Sequence, residues 1–302
     1  MITGVMTRSF LSCIVPGLSI LCSLAQGLPG TAADGEQSKK PELSFRGDSA
    51  FVSTYVWRGQ RLTNDWNWQP SLTAGTGPIS LNVWGILDLA AVNEAPHLLL
   101  PSNPGANPAN QPSGLLGKFS EIDYTLSFSK AAGKGTVSAG AVIYTFPERS
   151  AVLPSTTEIY TGYAFSSIPF SPAATLFVDV DETGDRADTG LYLRISAARS
   201  FPLTHRVFSG FDISSSIGAV NSGFSNYYYG ASYAGLHDFN VTLTAPMKIS
   251  ERWLASGCIA YSALLGNFRE KQYPDMREVY RGRMGPGEAD TLWGGLTLSV
   301  IF

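Results

Sequence analysis

The chain has 302 residues, a formal net charge of −3 and a mean hydropathy of +0.05. No internal run reaches the roughly 18 apolar residues a spanning helix needs, which excludes a helical membrane protein. The mild charge argues against nucleic acid as a partner, and charged residues stand at 15%, well below the roughly 25% of a soluble domain. Glycine (31 residues) and aromatics (12%) are abundant. Such a composition fits a chain of many strands, because barrel strands show only alternate residues to lipid and escape hydropathy scans.

The first segment reads as a secretory signal. Arg8 supplies the positive region, Phe10 to Leu24 is largely apolar, and small residues allow cleavage after Ala25 or as late as Ala33. Residues 26–43 follow as a small, polar leader, predicted to be disordered on the periplasmic side, and residues 44–302 form the folded domain. Past the signal only Cys258 remains, which leaves no intramolecular disulfide.

From Glu42 onward the pattern predicts strand after strand and no convincing helix. The first strand is expected over Ser44–Arg58, with Phe45, Phe51, Tyr55 and Trp57 on one face and Arg46, Asp48, Thr54 and Arg58 on the other. The second is expected over Trp66–Thr76, ending in a tight Gly77-Pro78 turn, and the third over Ile79–Ala90. After a polar link, 91–118, the fourth (Phe119–Lys130) alternates almost perfectly: Ile122, Tyr124, Leu126 and Phe128 oppose Glu121, Asp123, Thr125 and Ser127. The fifth spans Thr136–Phe146 with ambiguous faces. The sixth spans Thr156–Ser166, the seventh Ala173–Asp181, the eighth Thr189–Ser200 and the ninth Val207–Val220. A loop from Asn221 to Gly235 carries Tyr227, Tyr228 and Tyr229. The tenth strand spans Leu236–Met247 and the eleventh Arg252–Leu265. After a second long link, 266–290, comes a terminal strand, Thr291–Phe302. There Leu292, Leu296, Leu298, Val300 and Phe302 share a face opposite Thr291, Trp293, Thr297 and Ser299.

Link lengths carry as much information as the strands. Links after the second, fourth, sixth, eighth and tenth strands are short; the others are medium or long. Short turns alternating with longer loops describe an antiparallel transmembrane β-barrel of about 12 strands. Lipid offers no hydrogen-bond partners, so a sheet that crosses it must close on itself. The terminal strand is then expected to pair with the first. Phe302, an aromatic carboxyl-terminal residue, resembles the signal by which outer-membrane barrels are recognised for insertion. The alternative is a soluble sandwich with Thr291–Phe302 as an edge strand. Trp57, Trp66, Trp68, Tyr163 and Phe302 sit where an aromatic girdle is expected.

The run Phe51-Val-Ser-Thr-Tyr-Val-Trp-Arg-Gly59, followed by Gln60, resembles the opening strand of the TorF family of outer-membrane porins. Further similarity lies in Glu121-Ile-Asp-Tyr124, Tyr144-Thr-Phe-Pro147 and Thr157-Glu-Ile-Tyr-Thr-Gly162. The similar region spans about half the mature chain, and the Pro/Asn-rich link departs from the family's short loops. The resemblance implies a bacterial outer-membrane barrel with a transport function and no catalytic residues.

Enzymatic machinery is thin. The histidines His97, His205 and His237 are scattered, and His237 and Asp238, adjacent in a strand, should point to opposite faces. Each reads as a surface residue. One cysteine and three separated histidines give no zinc spacing, so neither a metal nor a cofactor is expected. The acidic run Asp181, Glu182, Asp185 and Asp188 reads as a solvated turn, with a weak calcium site as the alternative. The strand parity places nine carboxylates (Asp48, Asp88, Glu121, Asp123, Glu158, Asp179, Asp181, Asp212 and Asp238) toward the lumen, against Arg46, Arg58 and Arg194. Charges inside a barrel need partners, water or cations. The expected function is a porin-like channel for passive diffusion of small solutes or ions, cation-preferring, with outer-membrane lipid and the barrel assembly machinery as partners. The alternative is a non-conducting structural or adhesive barrel, since a twelve-stranded lumen falls between filled and open sizes.

Overall fold

The computed structural model describes residues 42–63, 65–89, 116–148, 155–181, 189–203, 205, 208–229, 233–269 and 289–302. The expected signal segment, the leader up to residue 41, His97, most of the acidic run and most of both long links lie outside these residues.

Twelve antiparallel strands close into a barrel in sequence order. β1 (Leu43–Val52) is followed by a small inward hairpin of β2 (Val56–Trp57) and β3 (Gln60–Arg61). The wall continues through β4 (Asn67–Thr76), β5 (Ile79–Asp88), β6 (Phe119–Ala132), β7 (Gly135–Thr145), β8 (Thr156–Phe165) and β9 (Ala173–Asp179). It ends with β10 (Leu191–Pro202), β11 (Gly210–Val220), β12 (Gly235–Lys248), β13 (Trp253–Leu264) and β14 (Asp290–Ile301). β14 closes the sheet on β1 with the register Arg46↔Ile301 through Val52↔Gly295. The Phe302 N–H extends that seam to the Phe45 carbonyl at 3.0 Å. The short turns gather at one end of the barrel and the longer links at the other. At the tightest, Thr76 pairs with Ile79 across Gly77-Pro78, and Gly77 takes φ = 54°, a conformation costly for residues with a Cβ.

The period-two pattern explains the wall. Leu81, Leu126, Ile195, Ile259 and Leu296 are all exposed, whereas Ser127, Arg194, Thr242, Thr297 and Ser299 are buried inside. The exposed apolar residues encircle the barrel on every strand. A soluble protein does not expose so large an apolar surface, and a closed sheet with an apolar outside is the β-sheet form that satisfies its backbone in lipid. The chain is a membrane-spanning β-barrel of the bacterial outer-membrane type. No described helix is long and apolar enough to cross a membrane.

Three local expectations change. The first strand ends at Val52 rather than Arg58. Its continuation bonds to itself: the N–H groups of Leu62 and Thr63 donate to the Tyr55 carbonyl, and the Tyr55 N–H donates to Thr63 Oγ1. Thr54 also bonds Thr63 through its hydroxyl. Residues 54–63 therefore fold into the barrel mouth, so Tyr55 and Trp57 are buried with the interior instead of facing lipid. Of the expected girdle, Trp66 and Phe302 are exposed, Trp68 and Tyr163 are half-buried, and Trp57 is not part of it. The expected loop after β11 contains a helix, α1 (Ser222–Tyr229). Asn221 caps it, its Oδ1 accepting the Phe224 N–H at 3.0 Å and also tying Leu191 at 2.8 Å. Finally, the register of β11 on β12 shifts between Gly218 and Ala219. The extra residue opposite that step is His237. The bulge turns its ring inward beside Asp238, so the strict alternation fails there.

Candidate functional site: the constricted lumen

The long-link mouth is crossed by the β2–β3 hairpin. Its two central residues, Arg58 (φ = 48°) and Gly59 (φ = 79°), both have positive φ, as a tight two-residue hairpin turn demands. Gly59 suits the position. Any Cβ there would sit 2.6 Å from the Asp238 Cβ and 3.1 Å from the Ala263 carbonyl, so the tip lies hard against β12 and β13. Arginine at the first position is uncommon and strained, and its surroundings explain why it is held.

The Arg58 guanidinium meets Glu158 of β8 through two bonds, Nη1 to Oε1 at 2.8 Å and Nη2 to Oε2 at 2.6 Å. The Tyr144 hydroxyl of β7 donates to the same carboxylate at 2.9 Å. Four aromatic faces surround the cation: Trp57 at 4.5 Å, Tyr192 of β10 at 4.1 Å, Phe177 of β9 at 4.9 Å and Phe224 of α1 at 5.3 Å from the ring centroids. The planar fork matches a carboxylate in a way an ammonium cannot, and the rings attract it further. On the other side of the hairpin, Tyr55 packs on Trp84 of β5 and its hydroxyl reaches Glu121 of β6 at 3.3 Å. The hairpin thus bridges wall strands from β5 round to β13. Tyr160 and Tyr192 lie flat over Gly140 and Gly218, where a Cβ would come within 2.6 Å of each ring. Those glycines let the rings lie against the wall and leave room for the hairpin.

The remaining sequence-predicted charges fall into separate groups. Asp179 is buried and accepts Thr156 Oγ1 at 2.9 Å and the Tyr228 hydroxyl at 3.2 Å. Half-buried Asp181 donates its N–H to the same carboxylate at 3.0 Å. Asp238 is fully buried, with His237 Nδ1 at 2.8 Å, Asn240 Nδ2 at 2.6 Å and the Tyr192 hydroxyl at 3.3 Å. His237 packs edge-on against Phe224 and Phe268, so it is an interior residue rather than the surface residue expected. Asp88 and Glu121 are buried near the same mouth, with half-buried Asp123 two residues along β6. Arg194 is buried under Phe177. Half-buried Asp212 lies well below the hairpin. Arg46 and Asp48 form their own pair at the short-turn end, where Asp48 also accepts Ser299 Oγ at 2.5 Å. Tyr228, on α1 outside the membrane-spanning strands, has its phenol pushed well above the ordinary value, by burial first and by the charge of Glu158 next. Among the described residues, no group of three or more His, Cys, Asp or Glu side chains is arranged to hold a metal ion.

Below the hairpin the wall is made of hydroxyls. Ser127, Ser138, Thr175, Ser216, Thr242 and Thr297 are buried. Ser138 Oγ, Thr175 Oγ1 and Ser216 Oγ have no hydrogen-bond partner among the described residues. The aromatic cage was not expected from the sequence. Its signal was Arg58-Gly59 between two aromatic-flanked segments, a weaker turn mark than Asn-Gly.

No protein-family model matches this sequence, and no curated protein matches it. Among solved structures the chain is similar to an outer-membrane channel from Pseudomonas putida F1, at 8% identity and a TM-score of 0.43, covering 89% of this chain and 100% of that one. It is similar also to OmpF from Salmonella typhi in complex with daunomycin, at 11% identity and a TM-score of 0.34, covering 87% and 97%. An anion-selective porin from Comamonas acidovorans matches at 8% identity and a TM-score of 0.35, covering 87% and 99%. The membrane assignment rests on this chain's own closed sheet and apolar exterior.

Proposed function

We propose that this chain is an outer-membrane channel of porin type for small solutes or ions, with a narrow, cation-preferring lumen that the hairpin of residues 54–63 closes in the conformation described. The observation that carries the reading is a wall lined by hydroxyls and carboxylates beneath a hairpin fastened chiefly by one ion pair. Buried hydroxyls without a partner among the described residues, such as Ser138, Thr175 and Ser216, call for water, and a wet wall is what a permeating ion requires. The excess of carboxylates over Arg46, Arg58 and Arg194 gives a negative potential that favours cations and disfavours anions. Outer-membrane lipid and the barrel assembly machinery are its natural partners, and the resemblance of residues 51–59 to the TorF porins supports the same reading. The non-conducting alternative draws on one observation, the tight aromatic packing of Trp57, Tyr144, Phe224 and Phe268 at the mouth.

Planar-bilayer recording separates the two. The intact chain is expected to conduct in small, intermittent steps. A variant with residues 54–63 replaced by a short glycine-serine turn should conduct steadily and favour potassium over chloride. A silent shortened variant would support the non-conducting barrel, and anion selectivity would refute the charge reading.

A further inference from the structure

We propose that the cage around Arg58 is a binding site for a solute that carries a guanidinium group, and that Arg58 is its resting occupant. The inference deepens the channel reading and takes from it only the route of access.

Three observations converge. The cation is held in the way a site would hold a ligand. It has a bidentate carboxylate on its edge, Glu158 at 2.6 and 2.8 Å, and rings on its faces, Tyr192 at 4.1 Å and Phe177 at 4.9 Å. Most of the site also belongs to the rigid parts of the barrel. Glu158, Tyr144, Phe177 and Tyr192 stand on β8, β7, β9 and β10, and Phe224 on the capped helix α1; of the cage residues, Trp57 alone travels with the hairpin. Glu158 is itself oriented by the Tyr144 hydroxyl at 2.9 Å, so the carboxylate is fixed for a planar, two-pronged donor whether or not Arg58 is present. Finally, the occupant is held under strain, because Arg58 reaches the cage from a positive-φ turn position that favours Asn or Gly. A free guanidinium would make the same contacts without that strain. The chemistry specifies the ligand class. A carboxylate edge with aromatic faces suits a flat, weakly hydrated, multi-donor cation far better than a compact ammonium.

The test uses the purified full-length barrel in detergent, with R58A to empty the cage and R58A/E158Q to remove its anchor. Barrel closure is checked by heat-modifiable migration on gels. Ethylguanidinium is the probe and propylammonium its charge-matched control, both at millimolar concentration. In R58A, ethylguanidinium should raise the melting temperature and shift Trp57 emission saturably. It should act at about one-tenth of the propylammonium concentration, the ratio that one additional charge-assisted hydrogen bond supplies. The wild-type protein, with its cage filled, and the double variant should respond weakly to both. Equal potency of the two cations in R58A, or an unchanged response in R58A/E158Q, overturns the assignment. If R58A closes poorly, its refolding yield from urea reads the same occupancy: ethylguanidinium should restore the yield and propylammonium should not, and equal yields overturn the proposal. None of these readouts involves conductance. A silent channel that binds ethylguanidinium would defeat the channel reading alone, and a conducting channel that does not would defeat only the site.

Discussion

Glu158→Gln is the sharpest perturbation of the closed mouth. Both partners are interior, with side-chain exposures of 5% for Arg58 and 1% for Glu158, so solvent screens the pair little. Breaking a buried pair by neutralising one member costs about 3–5 kcal/mol, because the other charge is left uncompensated. Glutamine keeps one acceptor for the fork and the aromatic faces remain, which lowers the net cost to about 2–3 kcal/mol. That is a shift of roughly 30- to 150-fold toward hairpin conformations outside the cage. The wall should be unaffected, since Glu158 contributes to the sheet through its backbone, paired with Val142 and Asp179. Trypsin reads the change directly, because Arg58 and Arg61 lie on the hairpin and Arg58 is shielded while it is docked. E158Q should be cut between residues 58 and 62 under conditions that leave the wild type intact, and its open-channel probability should rise in parallel. An E158Q barrel with normal melting, normal conductance and full trypsin resistance would refute the view that this ion pair holds the mouth closed.

Other expectations concern the wall and its closure. Asp48 accepts Arg46 on its own strand and Ser299 across the β1–β14 seam, so D48N should destabilise the barrel by about 1–3 kcal/mol, read as a lower temperature for loss of the compact gel form. Leu126 faces lipid on β6 and is 54% exposed. L126R should therefore cost about 2–4 kcal/mol if the site lies near the midplane, measured by reversible unfolding in lipid vesicles, whereas T125S, on the interior face, should cost little. Deleting Phe302 removes one bond to Phe45 and an exposed ring. It should lower the amount of barrel assembled in cells by more than it alters conductance of the fraction that inserts, and normal assembly would show that the ring is no insertion signal.

The wall was legible because lipid imposes a strict period of two on each strand. The alternation of Tyr124, Leu126 and Phe128 against Glu121, Thr125 and Ser127 is the same in the sequence and in space. The β1–β14 pairing followed from link lengths and an even strand count. The mouth was not legible, for two physical reasons. Residues 53–58 continue the alternation of β1, and nothing local to that run reports that the Tyr55 carbonyl bonds Leu62 and Thr63 instead of a neighbouring strand. Inside a lumen, moreover, aromatic residues serve as core, so Trp57 reads equally well as girdle or as plug. His237 failed for a third reason. A one-residue bulge reverses the facing of a side chain, and its only cause is the partner strand's register at Gly218.

The hairpin leaves the wall after Val52 and rejoins it at Asn67, two residues that are themselves paired. Replacing residues 54–63 leaves the strand pairing of the wall intact, together with the flanking backbone bonds of Ser53 to Gly294 and of Leu89 to Trp66, so the plug and the wall are energetically separable although they are one chain. The same geometry keeps the plug on a short tether. When Arg58 leaves its cage it remains at an effective concentration on the order of millimolar, and recapture is an intramolecular event. A free guanidinium solute must then match that concentration before it can hold the cage. A channel of this construction would ignore traces of its ligand and respond only above a threshold set by the length of fourteen residues of chain, 53–66, rather than by the affinity of the site alone.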